Sequence, residues 1–248
     1  FLQTFCILFC IVLNDLSIKT LSIHLLNQFL NYEIFNIIFL TICLLVLING
    51  YNFLDGINTL VIGNFIICMI SLYCVSDINN LTADFNLIKH LIIIFSIIYI
   101  FNFFGKSFLG DSGTYTMSFL TGLLCINFAY NNYLQVSPYF IACLLWYPAI
   151  ENLFTIIRRK IFNQEISKPD NLHLHHLLFN LIKKNISSKN NLLINTLSGF
   201  IINIYMSISA LVAIVYFNHT VSLLITICVN IFLYLNIYFI LYKKNQLR

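Results

Sequence analysis

With 60% of its 248 residues hydrophobic and only 9% charged, the chain cannot solvate the surface of a soluble domain, which carries roughly 25% charged residues. The formal charge of +4 is modest and its basic residues fall on one side of the predicted topology, so no nucleic-acid partner is expected. Eight cysteines sit singly within apolar runs, which excludes a disulfide framework and a thiolate zinc site.

The apolar runs are continuous rather than ten-residue alternations, and in hydrocarbon every backbone polar group must be satisfied within its own segment. This predicts an all-α fold, a polytopic transmembrane helical bundle embedded in the lipid bilayer. About eight spans are expected from their length, at 1–13, 34–48, 59–75, 89–104, 114–130, 138–154, 192–216 and 221–242. The first run rises only ~20 Å against a hydrocarbon core of ~30 Å, and the chain opens on Phe1. The expectation is that the sequence begins inside a helix and that an N-terminal part of the fold lies upstream. Residues 1–248 otherwise read as one integral-membrane domain. Its single long extramembrane segment is a histidine-bearing loop at 155–191, and the links around 14–33, 76–88 and 131–137 read as plain connectors.

Alternating crossings divide the loops into two sets. One holds Lys106, Arg158, Arg159, Lys160, Lys168, Lys183, Lys184, Lys189, Lys243, Lys244 and Arg248; the other holds only Lys19 and Lys89. The excess of basic residues assigns the first set to the cytoplasm of a multi-pass inner (plasma) membrane protein. Three polar segments share that side, and ionisable groups at membrane boundaries are retained where a ligand or ion needs them.

In the first segment, Asn49-Gly50-Tyr51-Asn52-Phe53-Leu54-Asp55-Gly56, the polar residues Asn49, Asn52 and Asp55 recur every third position and fall along one face if helical. Amide and carboxylate oxygens so spaced suit a hard divalent cation that also binds substrate phosphate, although a helix cap is the plain alternative. Gly50 and Gly56 permit close backbone approach. The second segment, Phe108-Leu109-Gly110-Asp111-Ser112-Gly113, precedes a span. Asp111 or Ser112 there reads either as an N-cap or as a metal ligand beside free N–H groups that attract phosphate. The third, Lys168-Pro169-Asp170-Asn171-Leu172-His173-Leu174-His175-His176, places three histidines within four positions. No cysteine or spaced glutamate completes a zinc site. The histidines, with Arg158 and Arg159, fit an anion such as the phosphates of a nucleotide sugar. Glu151 is placed to pair with one of those arginines or to orient a histidine.

Together, Asn-x-x-Asn-x-x-Asp-Gly, Gly-Asp-Ser-Gly and Pro-Asp-x-x-His-x-His-His, in this order between spans, resemble the polyprenyl-phosphate N-acetylhexosamine-1-phosphate transferases of glycosyltransferase family 4. The bacterial undecaprenyl-phosphate N-acetylglucosaminyl-1-phosphate transferase branch, which starts O-antigen, capsule and teichoic-acid lipids, is most similar. The chain departs from the family where a second aspartate is replaced by Asn58, which is not counted as a ligand. The family's Asp-Asp pair is expected upstream of Phe1. Asn14-Asp15 is rejected as its counterpart, because it lies on the opposite side of the membrane from Asn52.

The resemblance implies a Mg²⁺-dependent (or Mn²⁺-dependent) transfer of N-acetylhexosamine 1-phosphate from a UDP-sugar to polyprenyl phosphate at the cytoplasmic face, releasing UMP. It implies Asn52 and Asp111 as metal ligands, with Asp55, Asp111 and His175 in the chemistry. Asn49, His173, His175, His176, Arg158 and Arg159 would bind substrate, and a second copy of the chain is a candidate partner. Two other classes stand against this reading. A transporter would carry its polar groups at mid-span, and a non-catalytic membrane subunit or decayed fragment would retain the motifs without the activity.

Overall fold

The structure is a computed structural model that describes residues 2–163, 171–185 and 190–246. Among the described residues it holds eleven α-helices and no strand: α1 (Leu2–Leu13), α2 (His24–Leu30), α3 (Glu33–Leu54), α4 (Leu60–Asn79), α5 (Phe85–Phe103), α6 (Gly110–Asn131), α7 (Pro138–Leu144), α8 (Trp146–Ile161), α9 (Leu174–Asn185), α10 (Asn191–Val215) and α11 (Thr220–Gln246). The all-α, multi-pass bundle expected from the apolar runs is present.

The count of spans differs from the expected eight. Among the described residues α3, α4, α5, α10 and α11 are long and apolar enough to cross a membrane, and α7 with α8 makes a sixth crossing if taken as one bent span. At 12 residues, α1 is too short. With 22 residues α6 is long enough, but it spends part of its composition on Thr114, Ser118 and Thr121, which turn into the protein. The run at 138–154 is not one helix either. It bends by 71° between Leu144 and Trp146. Pro148 explains the break: in a continuous helix its ring would strike the carbonyl of Leu144, and it has no N–H to donate. Restarting at Trp146 puts Pro148 in the first turn, where that N–H would have no helical partner anyway. The connector at 14–33 also carries structure, the short helix α2.

The most enclosed of the spans is α4, packed against α5, α6 and α10. Its Phe65, Met69 and Leu72 join Tyr51 of α3, Phe95 of α5, Phe140 of α7 and Met206 of α10 in one core. A second cluster sets Ile7 and Ile11 of α1 against Leu40, Leu44 and Ile48 of α3. The contact between α3 and α8 is backbone-close. A β-carbon on Gly50 would stand 2.2 Å from the Pro148 carbonyl oxygen, so no other residue fits there.

The chain reverses at two ends of this bundle. At one end the α4–α5, α6–α7 and α10–α11 links meet. Asn132 donates to the Thr82 and Phe128 carbonyls (2.9 and 2.8 Å) and accepts from the Thr82 N–H (2.9 Å), and Ser137 N–H donates to Phe217 O (2.9 Å). The other end gathers the α3–α4 and α5–α6 links and the start of α9, and here all three polar segments lie. Between them, α3, α6, α7 and α8 border an open apolar cavity of about 500 Å³, lined from Lys19 and Tyr130 at the first end to Val46 and Leu153 near the second.

Candidate active site at the polar end

The first polar segment is helical for most of its length. Since α3 runs on to Leu54, Asn49 and Asn52 lie on one helical face and Asp55 follows as the C-cap residue. The link to α4 is short and tightly held. Thr59 adopts a left-handed conformation (φ 69°), an uncommon one for a β-branched residue that survives where neighbours over-determine it. Three amides supply that constraint. Thr59 N–H donates to Asn102 Oδ1 (2.5 Å), Asn203 Nδ2 donates to Thr59 O (2.8 Å), and Asn58 N–H donates to Asn195 Oδ1 (2.7 Å). Asp55 and Gly56 therefore project from a fixed turn.

The second segment enters α6 through Gly110, at φ 62°. Asp111 and Ser112 stand inside the first turn, and the N-cap position is Leu109 with no side-chain cap. The capping alternative for Asp111 and Ser112 therefore fails on geometry. Instead, Asp111 Oδ1 accepts from Asn52 Nδ2 at 3.1 Å across 59 residues of sequence. Asp55 completes the group. Partial burial, then the nearby Asp111 charge, push its carboxyl above the ordinary value, while the neighbouring Thr114 hydroxyl favours the charged form without reaching a well-formed hydrogen bond.

Among the described residues no three His, Cys, Asp or Glu side chains form a metal cage by themselves. The donor set nevertheless fits Mg²⁺, a small hard ion that typically takes one or two carboxylates and completes its shell with water and substrate phosphate. Asp111 and Asp55 offer the carboxylates, and the Asn52 amide can turn its oxygen in place of its nitrogen.

The third segment is less loop than expected. Residues 164–170 and 186–189, including Lys168, Pro169, Asp170 and Lys189, lie outside the described residues, but His173 directly precedes α9, and His175 and His176 occupy its first turn. The helix is amphipathic and packs on α10 and α11. Its apolar face thus docks on neighbouring helices, with Leu177 buried and Leu177 O accepting from Asn245 of α11 (3.1 Å). The three imidazoles cluster: His173 lies parallel to His175 (8°, 5.5 Å between centroids), and His176 is tilted against His175 at 49°, 4.3 Å away. This cluster meets the first segment directly. A β-carbon on Gly56 would lie 2.9 Å from His176 Nε2, and Phe53 faces His173 at 5.2 Å.

His175 is fully buried, and neither ring nitrogen has a hydrogen-bond partner. Burial, reinforced by His176 and His173 beside it, holds its pKa well below the usual histidine range. It is therefore a neutral imidazole, able to offer one N–H and one lone pair but no positive charge. The cationic groups nearby are Arg158 and Arg159, both buried in the last turn of α8, with the Arg159 guanidinium 5.9 Å over the Phe53 ring. Glu151 orients a histidine, the second of its two expected roles: its Oε1 accepts from His173 Nδ1 at 3.0 Å.

The structure thus joins Asn52, Asp55, Asp111, His173, His175, His176 and Arg159 into one neighbourhood. Asn49 stands apart, its amide turned back to Leu45 O (2.8 Å). Reasoning from sequence missed Phe53, Thr155, Tyr234 and the amides Asn102, Asn195 and Asn203. Of these only Thr155 carries a local signal, four residues after Glu151 on the same helical face.

A family model described as glycosyl transferase family 4 matches residues 1–129. The chain is 29% identical over 168 residues to the probable undecaprenyl-phosphate N-acetylglucosaminyl 1-phosphate transferase of Bacillus subtilis (strain 168), a match covering 66% of this chain and 44% of that relative. The chain spans less than half the length of that relative. No solved structure matches.

Proposed function

The chain belongs to glycosyl transferase family 4, and on that premise we propose that its polar end transfers an N-acetylhexosamine 1-phosphate from a UDP-sugar to a polyprenyl phosphate, releasing UMP. One observation carries the proposal. Residues 59 positions apart, Asn52 and Asp111, meet at 3.1 Å, and the same turn, at Gly56, abuts His176 from a third segment. Phosphoryl transfer asks little of a protein beyond positioning and neutralising oxygen charge, and this convergence provides for both.

In this reading Asn52, Asp55 and Asp111 hold Mg²⁺, which when bound neutralises charge on the diphosphate. Arg159 and the histidine cluster take the donor's phosphates, with His175 contributing a neutral hydrogen bond. The polyprenyl acceptor needs an apolar path to this site, and the cavity between α3 and α8 ends near it, at Val46 and Leu153. Clustering of the polar groups at one end, not at mid-span, argues against a transporter. The same end carries Arg158, Arg159, Lys160, Lys183, Lys184, Lys243 and Lys244 in the last turns of α8, α9 and α11, which supports a cytoplasmic orientation.

The test is UMP release from UDP-N-acetylglucosamine by the full chain with undecaprenyl phosphate, across a Mg²⁺ titration. Metal-dependent release that needs the lipid is expected; no release at saturating metal and both substrates would remove the proposal. Orientation is checked separately. A cysteine at exposed Lys106 should resist a membrane-impermeant thiol reagent in intact cells, and one at exposed Asp77 should react above the native cysteine background. The reverse pattern would invert the topology.

A further inference from the structure

The structure assigns Glu151, backed by Tyr234, as a positioning residue that holds His173 with its proton on Nδ1. Its kinetic consequence rests on the proposed transfer reaction; its existence rests on geometry alone.

Glu151 is completely buried on α8, where a carboxylate is costly unless its oxygens are satisfied. Both are. Oε1 accepts from His173 Nδ1 (3.0 Å) and from the Leu174 N–H (3.4 Å), and Oε2 accepts from the Tyr234 hydroxyl (2.9 Å). An ionised carboxylate only accepts, so Nδ1 bears hydrogen whether the ring is neutral or cationic. Thr155 Oγ1, one turn on from Glu151, stands 3.4 Å from the same nitrogen. Phe53, tilted at 5.2 Å, and parallel His175, at 5.5 Å, pack against the ring and restrict its plane. The chemistry of His173 is thereby carried by its Nε2 edge.

The arrangement also ties three distant pieces of chain together. Glu151 precedes the histidine segment by 22 residues, while Tyr234 reaches back 83 residues from α11. Helix α11 also holds α9 directly, through Asn245. The last helix therefore seats the histidine segment by way of a buried carboxylate, as second-layer carboxylates elsewhere fix the tautomer of a working imidazole.

Glu151→Gln keeps the size and can still accept from Nδ1–H. With its amide turned, it can equally donate to a bare Nδ1, so the tautomer is no longer fixed. In full chain labelled with ¹⁵N-histidine, the His173 signals, identified by their loss in His173→Gln, should show Nδ1 protonated in the wild type and a second, Nδ1-bare population in Glu151→Gln. The KM for UDP-N-acetylglucosamine should rise about tenfold with kcat changed less than about twofold, the pattern of a lost ground-state contact. Tyr234→Phe, which removes only the outer donor, should shift KM in the same direction by about threefold. A bare Nδ1 in the wild type overturns the assignment. So do wild-type KM values in both variants with lowered melting temperature alone, since Glu151 would then be only a staple between helices. If the wild type releases no UMP, the transfer proposal fails by itself and the nitrogen spectra still decide the lock.

Discussion

The two ends of the bundle share a scaffold of turn-holding asparagines, but only one of them adds carboxylates and histidines that hold nothing in place. At the α4–α5 end, Asn132 spends both amide groups on its neighbours: Oδ1 accepts from the Thr82 N–H and hydroxyl, and Nδ2 donates to the Thr82 and Phe128 carbonyls. Asn36 likewise closes both sides of Ile18. At the other end, carboxylates converge on one another, as Asp55 and Asp111 do, and His175 is buried with no hydrogen-bond partner at all. Polar groups buried for stability are satisfied locally. Groups left in mutual repulsion or without partners cost stability and are retained where a ligand completes them. The contrast sets Asn132 and Asn36 apart from Asp55, Asp111 and His175 without reference to any motif.

The comparison can be broken most sharply at Asp111. If it serves a metal and phosphate chemistry, Asp111→Asn should cut UMP release by on the order of 10²-fold or more, as loss of one charge-stabilising group does. Melting temperature should hold or rise, because one of two facing carboxylates is removed. Near-normal turnover at ordinary Mg²⁺ would make the Asn52–Asp111 contact a helix tie like those of the opposite end.

Asn132→Ala makes the converse case. Removing an amide that serves four backbone and side-chain groups should cost about 2 kcal/mol of stability, read as a lower melting temperature in detergent. Turnover per folded molecule should be unchanged. A fall in kcat with melting unaltered would mean the far end takes part in function.

Much of this division was legible in the sequence, and what was not has physical causes. The shared side of the three polar segments followed from span counting and basic-residue asymmetry, and the meeting of Asn52, Gly56, Asp111 and His176 bears it out. Helix boundaries were less legible, because local punctuation is ambiguous at a membrane surface. Gly110-Asp111-Ser112-Gly113 reads as a loop before a span, yet the helix absorbs it. Pro148 was a visible breaker whose 71° effect was missed because the run around it stays apolar. The amides that seat Asn58 and Thr59 come from 43 to 144 residues away. Nothing in the neighbourhood of Asn195 or Asn203 announces that role, since an asparagine in an apolar helix looks the same whether it pins a turn or faces another helix.

The smallest expected effect is also the most direct measure of how unlike the two ends are. His175 is buried as a neutral ring, with its pKa well below the usual value chiefly through desolvation, then through His176 and His173. In the unfolded chain it takes up a proton below about pH 6.5. Between its folded pKa and that value the unfolded state binds the extra proton, so stability rises with pH and is lost on acidification, by up to about 1.4 kcal/mol per pH unit. Asp55 works in the other sense. Its carboxyl is raised, so the folded state holds its proton more tightly and acidification through that window adds stability. To separate the two, melting temperature is followed from pH 7.5 to 5 for the wild type and His175→Phe, which keeps a buried ring but cannot titrate. Asp55 contributes equally to both, so the difference in slope belongs to His175. The wild type should lose stability more steeply than the variant as pH falls below 6.5. Parallel slopes would mean that water or a partner reaches His175 in the folded protein. Its ring would then be as well satisfied as Asn132 at the opposite end, and the distinction between the two ends would rest on the carboxylates alone.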